Sequence, residues 1–181
     1  MISKHASLLC IALLGTGCGS AGPYGFSRVY EPLSDEEEHA EGAKEYDPVM
    51  IEREPETWKK HWISVFGIVR QRTQAPGGSA YLTLGVRTLS DRNLCDGPAD
   101  DTCRVTVSQH DFATVHAIAK LRPEDDLGSV SLRPGALVRV IGKLNDDVDK
   151  NDGAPVLAAT YYRHWPRNYF VTTADRDHMQ R

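Results

Sequence analysis

Apolar and polar positions alternate in several short runs from residue 61 onward, the period expected of strands with one buried face. His61–Arg70 (HWISVFGIVR) is rich in β-branched and aromatic residues, and Gly67 within it reads as a bulge or bend. The turn cluster Gln74–Ser79 follows. In Ala80–Leu89 (AYLTLGVRTL), Leu82, Leu84 and Val86 then alternate with Thr83, Gly85 and Arg87. Two such runs around a Pro-Gly-Gly turn predict a hairpin. Cys103–Val107 predicts a third strand. Ala136–Leu144, after an Arg-Pro-Gly turn, predicts a fourth, and Ala154–Arg163, after the polar loop 145–153, a fifth.

Residues 108–121 carry two patterns. Ser108 and Asp111 have the spacing of a capping box, and Phe112, Val115 and Ala119 share a helical face. Ala113, Val115, Ala117, Ala119 and Leu121 also alternate with Thr114, His116 and Lys120. The alternation favours a strand, with one short helix at 109–120 as the alternative. Five to six strands with interior glycines make the domain at 57–172 mostly β. A small OB-like or Greek-key β-barrel suits it, because closure removes the edges an isolated sheet exposes.

The first 56 residues read differently. Ala6–Leu14 is apolar except for Ser7 and follows Lys4. It is too short to span a bilayer, which takes about 20 apolar residues as helix, but has the length of a secretory h-region. Its ending, Leu14-Gly15-Thr16-Gly17-Cys18-Gly19-Ser20, resembles a bacterial lipobox. The resemblance implies that residues 1–17 are a lipoprotein signal peptide and that Cys18 is lipidated. With no aspartate after the cysteine, it also implies an outer-membrane, periplasm-facing address. Ordinary signal cleavage, with Cys18 an incidental thiol, is the alternative. Each buried CH₂ contributes about 0.8 kcal/mol, so several acyl chains make a stable anchor. Residues 18–56 contain prolines at 23, 32, 48 and 55 and show no apolar period. Eight acids stand against Lys44 alone over 31–47. This predicts a disordered acidic tether, at most transiently helical over 34–46, serving as a spacer or an acidic arm. Residues 173–181 are expected to be a disordered tail.

Composition narrows the classes. The 181 residues are 40% hydrophobic and 25% charged with a formal charge of -4, which suits neither a wholly disordered chain nor a polytopic membrane protein. The charge lacks the basic signature of a dedicated nucleic-acid binder. Of four cysteines, Cys10 leaves with the signal and Cys18 takes lipid, so Cys95 and Cys103 remain and predict a disulfide. A zinc site there would need two more ligands, and no companion motif supplies them.

No nucleophile elbow, P-loop or dinucleotide fingerprint occurs, so no catalytic residue, metal ligand or cofactor is predicted. His61, His110, His116 and His164 are expected at surfaces or strand ends. Asp146, Asp147, Asp149 and Asp152 suggest calcium by their oxygen chemistry, but no closing Glu follows and a solvated turn is the expected reading. Recognition-type residues concentrate at 161–170 (YYRHWPRNYF), where Tyr162, Arg163, His164, Trp165 and Arg167 are the candidate binding residues. The alternative is that Tyr161 and Trp165 complete the core. As an exposed contact, neither Arg163 nor Arg167 should matter to stability.

Arg133–Gly142 (RPGALVRVIG), with Pro155-Val156-Leu157 and Trp165, resembles the Slp-type outer-membrane lipoproteins, which look OB-like. The expected function is a non-catalytic envelope lipoprotein that binds or scaffolds another envelope protein, held to the membrane by lipid and taking no nucleic acid. A small-ligand or polysaccharide-binding module is the alternative.

Overall fold

The computed structural model describes residues 27–97, 99 and 103–178. The predicted signal peptide and Cys18 lie outside them. The elements in chain order are α1 (Ser34–Ala40), β1 (Lys44–Glu45), α2 (Pro48–Arg53), α3 (Pro55–Trp58), β2 (Ile63–Gln74), β3 (Ala80–Arg87), β4 (Val105–Val107), β5 (Ala113–Ala119), α4 (Pro123–Asp126), β6 (Leu137–Val148), β7 (Pro155–Trp165) and β8 (Phe170–Thr172).

Strands β2, β3, β5, β7 and β6 are hydrogen-bonded in that order, and β6 pairs back onto β2, closing a five-stranded barrel. All barrel pairings are antiparallel except β5 with β7. Three meandering strands followed by a crossover to the far side of the first strand give the OB-like connectivity. The chain is therefore mostly β, with short helices only. Residues 113–119 are strand, so the alternation and not the helical spacing was the informative pattern.

Inside the barrel, Ile63, Val65 and Val69 meet Leu82, Leu84, Val86, Val115, Ala117, Val138, Val140 and Leu157. These are the inward members of each alternating run, because successive side chains point to opposite faces of a strand. Two glycines allow close approach. A Cβ on Gly67 would meet Leu84 Cβ at 3.0 Å, while the register shift of β2 lies further on, between Val69 and Gln71. Gly67 thus admits the neighbouring strand; the irregularity assigned to it sits elsewhere. Gly142 stands where β7 bulges. A Cβ there would run into the Ala158 carbonyl oxygen and meet Ala159 Cα at 2.9 Å.

That bulge decides which end of β7 faces inward. Leu157 and Ala159 pack toward the core, but Ile141 pairs with Tyr161 while Gly142 pairs with Ala159, so Thr160 is the extra residue. Beyond it the alternation changes phase, and Tyr162, not Tyr161 or Trp165, enters the barrel core.

Three expectations are corrected. The tether read as disordered is ordered from residue 27 onward: Lys44 and Glu45 pair with Ile63 and Ser64, Tyr46 is a core residue, and Met50 and Ile51 pack against the core. Pro48 and Pro55, counted among the signs of a tether, begin α2 and α3, where a missing N–H costs nothing. Asp47 caps α2 by accepting from the Val49 and Met50 N–H groups, both at 3.0 Å. The third predicted strand is shorter than expected and lies outside the barrel, where β4 pairs in parallel with β8. Residues 173–178 of the expected tail form a 3₁₀ helix.

Replacing Gly142 by Ala forces backbone against backbone across β6 and β7. The expected loss is about 3 kcal/mol, the upper part of the range for overpacking. Urea denaturation of the variant beside the wild type measures it, and an unchanged midpoint would show that the bulge can relax.

Candidate binding surfaces

The outward faces of β2, β6 and β7 carry Phe66, Ile68, Leu137, Arg139, Arg163 and Trp165. This side of the barrel has its own apolar cluster. Phe66, Ile68 and Leu137 pack with Val105 and Val107 of β4, and Tyr30, Leu89, Trp165 and Phe170 close around them. The Phe66 and Trp165 rings stack at 6.1 Å, with the Tyr30 ring edge-on to both.

Glu36, on α1, reaches into this cluster and is 0% exposed. Arg139 Nη1 donates to its Oε1 at 2.5 Å and Arg163 Nη1 to its Oε2 at 2.9 Å. The Tyr30 hydroxyl donates to Oε1, and the Leu33 N–H donates to Oε2 at 3.1 Å. Burial alone would raise the Glu36 pKa, but the bonds from Tyr30, Arg139, Arg163 and Leu33 together hold it below the ordinary carboxylate value. The guanidinium groups are themselves layered against aromatic rings, Arg163 at 4.7 Å from Trp165 and Arg139 at 5.2 Å from Phe66.

The sequence-predicted binding residues therefore separate. Arg163 and Trp165 belong to this internal assembly. They also line a cleft of about 280 Å³ with Arg28, Tyr30, Asn93 and Val105. Tyr162 is buried; its hydroxyl donates to Asp125 Oδ2 at 2.6 Å and accepts from the Arg122 N–H at 2.8 Å. His164 lies beside it, with Nδ1 3.6 Å from Asp125 Oδ1 and Nε2 2.8 Å from the Val130 carbonyl oxygen. Only Arg167 is fully exposed, next to Gly135. The expectation that Arg163 is a free contact is corrected, since its charge is used on Glu36. Cys95 and Cys103 form the predicted disulfide, with Cα atoms 4.3 Å apart, and Cys103 lines the same cleft.

The opposite outer face belongs to β3 and β5. Tyr81, Thr83 and Ile118 are half-exposed there and Thr114 is exposed. In OB barrels this face and the loops beside it receive oligonucleotides and oligosaccharides. At one end, Asp111 pairs with Arg70 and Arg87, and Gly85 is the residue whose missing side chain makes room for that carboxylate. At the other end, the β6–β7 loop brings Asp149 and Asp152 against Tyr81 and His116. His116, expected at a surface or strand end, is buried mid-strand. The position was legible: it occupies an outward slot of an alternating run. Its burial was not, because the loop that covers it comes from 36 residues away.

Among solved structures, the small single-stranded DNA-binding protein from Streptomyces coelicolor is similar over 57% of this chain and 91% of its own, at 21% identity and a TM-score of 0.32. The protein priB from Ralstonia solanacearum is similar over 57% of this chain and 97% of its own, at 13% identity and a TM-score of 0.29. A deletion mutant of the single-stranded DNA binding protein from Thermus aquaticus covers 59% of this chain at 17% identity and a TM-score of 0.31. No family model matches the chain, the Slp-type lipoproteins included, and no curated protein matches it. The expectation that the domain takes no nucleic acid is withdrawn as a correction. Proteins titled as single-stranded DNA-binding are among the structures it resembles, and a net charge does not decide what one barrel face binds. At these scores the likeness assigns no ligand.

Removing one member of a buried ion pair strands the other, so Arg163→Ala should cost about 3 kcal/mol while Arg167→Ala changes stability by less than about 0.5 kcal/mol. Because the folded pKa of Glu36 is lowered, its contribution is fully present above the ordinary value of 4.5 and disappears as pH falls through the folded value. Melting curves against pH should show the wild type above Glu36→Gln by a constant gap above pH 4.5, and that gap closing as pH falls below it toward the folded value. Parallel curves throughout would mean the carboxylate is not ionised in the folded protein.

Proposed function

We propose that the chain is a non-catalytic OB-like binding module, exported and held at the periplasmic side of the outer membrane by lipid on Cys18, where it binds or scaffolds another envelope protein. The observation that carries the binding role is the division of the barrel surface. The β2–β6–β7 side is covered by the chain's own N-terminal segment and the β4–β8 pair, while Tyr81, Thr83, Thr114 and Ile118 on the β3–β5 side keep exposed surface. The envelope address is supported by the apolar run ahead of Cys18, and the Cys95–Cys103 bridge suits an oxidising compartment. Among the described residues, no helix is long and apolar enough to cross a membrane, so attachment in this reading depends on the lipid.

One arrangement bears on catalysis. Thr83 Oγ1, His116 and Asp152 form a hydroxyl–imidazole–carboxylate chain, with contacts of 3.2 Å and 3.0 Å. Its connectivity is that of a nucleophile and its base. Thr83 is, however, the direct register partner of His116 on the neighbouring strand, so cross-strand pairing alone accounts for their contact. The non-catalytic reading takes the chain as structural.

Cys18→Ala should abolish acyl labelling and move the protein from the outer-membrane fraction to the soluble fraction or leave an uncleaved precursor. In intact cells, crosslinking from Thr114 on the exposed face should recover an envelope protein from the wild type. Unlabelled, freely soluble wild type would end the anchored reading. Binding of a single-stranded oligonucleotide across the same face, with no protein crosslinked, would replace the protein partner with nucleic acid.

A further inference from the structure

The β6–β7 loop places two carboxylates against an imidazole that two other strands hold in position. His116 is 5% exposed and its ring stacks on Tyr81 at 5.2 Å. Thr83 Oγ1 lies 3.2 Å from Nδ1, which fixes the ring and leaves Nε2 turned toward the loop. Both oxygens of Asp152 converge on that single nitrogen, at 3.0 and 3.1 Å. Asp149 Oδ2 accepts from the Tyr81 hydroxyl at 2.5 Å. One ligand atom from each of His116, Asp149 and Asp152 lies within 4.8 Å of the others.

The loop orients the carboxylates as well. The Asn151 N–H donates to Asp149 Oδ1 at 2.8 Å, and the Ala154 N–H donates to Asp152 Oδ1 at 2.9 Å. Asp152 Oδ2 thereby stays on the imidazole Nε2 and Asp149 Oδ2 on the Tyr81 hydroxyl. Among the described residues neither acid has a Lys or Arg partner; the contact formed here is that of Asp152 with the His116 ring. Two carboxylates thus stand beside one imidazole, Asp152 in contact with it and Asp149 within 4.8 Å of the group. A nitrogen that carries at most one proton answers only one of the two Asp152 oxygens converging on it, whereas a cation held among the three side chains would draw on both carboxylates.

We propose that His116, Asp149 and Asp152 bind a divalent transition-metal ion, for which Zn²⁺ is the fitting probe. An imidazole nitrogen with two carboxylate oxygens suits zinc, whereas calcium and magnesium call for oxygen ligands throughout. Thr83 is the positioning residue, since the group bonded to the far nitrogen of a ligating histidine sets the ring's tautomer and angle. Three protein ligands leave a coordination position open to water or to a ligand on the β3–β5 face. The ion would also tie the β6–β7 loop to β5. Asp146 and Asp147, at the end of β6, are exposed and lie outside the cluster.

The test is calorimetric titration of the full chain, stripped with chelator and with its disulfide intact, with ZnCl₂ and separately with CaCl₂. One Zn²⁺ per chain is expected, with Ca²⁺ displacing it only in large excess. Asp149→Asn and Asp152→Asn should each weaken Zn²⁺ binding at least about 10-fold, in line with what is lost when metal sites are perturbed. Asp146→Asn and Asp147→Asn should leave it unchanged. These variants change surface or half-exposed side chains, so circular dichroism should report the same fold for all four, which keeps the comparison valid if His116→Gln fails to fold. No uptake of Zn²⁺ would overturn the proposal. Uptake that survives both Asp149→Asn and Asp152→Asn would overturn it too, as would equal affinity for Ca²⁺.

Discussion

A carboxylate with no exposed surface must find its counter-charges inside the protein, and Glu36 finds two, on adjacent strands. Arg139 and Arg163 are register partners on β6 and β7, so their guanidinium groups emerge side by side on the outside of the barrel. Left alone they would repel each other above an apolar surface of Phe66, Leu137 and Trp165. The acid of α1 resolves that repulsion, and Tyr30 and the Leu33 N–H complete its hydrogen bonding. Both charges of this pairing are costly without the other, which makes the N-terminal segment and the barrel depend on one another. The same docking brings Tyr30 against Phe66 and Trp165 and sets the entrance to the cleft beside the disulfide.

From this one contact the use of the molecule's surface follows. The side of the barrel where β6 and β7 present arginines and aromatics is covered by its own chain, and β4 and β8 cover the remainder of it. Residue types enriched at interfaces are thus present on β7 but already engaged. Exposed surface remains where the sequence is least conspicuous, on the threonines, Tyr81 and Ile118 of β3 and β5, bordered by Asp111 at one end and by Asp149 and Asp152 at the other. A ligand of that face would meet polar groups arranged by strand pairing and by loop hydrogen bonds.

The barrel strands were legible because their inward positions are small or branched apolar residues at a period of two, and the turns between them carry Gly and Pro. Legibility failed where one residue changes the phase or where distant segments meet. Thr160 is a bulge, and no local pattern at Thr160 distinguishes it from an ordinary strand residue, so Tyr162 and Tyr161 were assigned to the wrong faces. Residues 27–56 looked like part of a spacer because acids and prolines usually mean solvation. Here one acid is neutralised by arginines 103 and 127 residues away, and two prolines start helices. The disulfide was legible from the cysteine count. The grouping of His116 with Asp149 and Asp152 was not, since it depends on β5 and β7 lying side by side in parallel, a pairing between strands far apart in the chain that leaves no mark on either.

The central claim is that the N-terminal segment is part of the folded barrel and is held there through Glu36. Native-state hydrogen exchange, resolved by residue, tests this most directly. The Lys44 N–H donates to the Trp62 carbonyl oxygen at 2.8 Å and the Tyr46 N–H to the Ser64 carbonyl oxygen at 3.0 Å. Those amides should exchange nearly as slowly as those of β2 in the wild type, and should lose much of that protection in Glu36→Gln while the β3 and β5 amides keep theirs. Rapid, unprotected exchange at Lys44 and Tyr46 in the wild type would contradict the account.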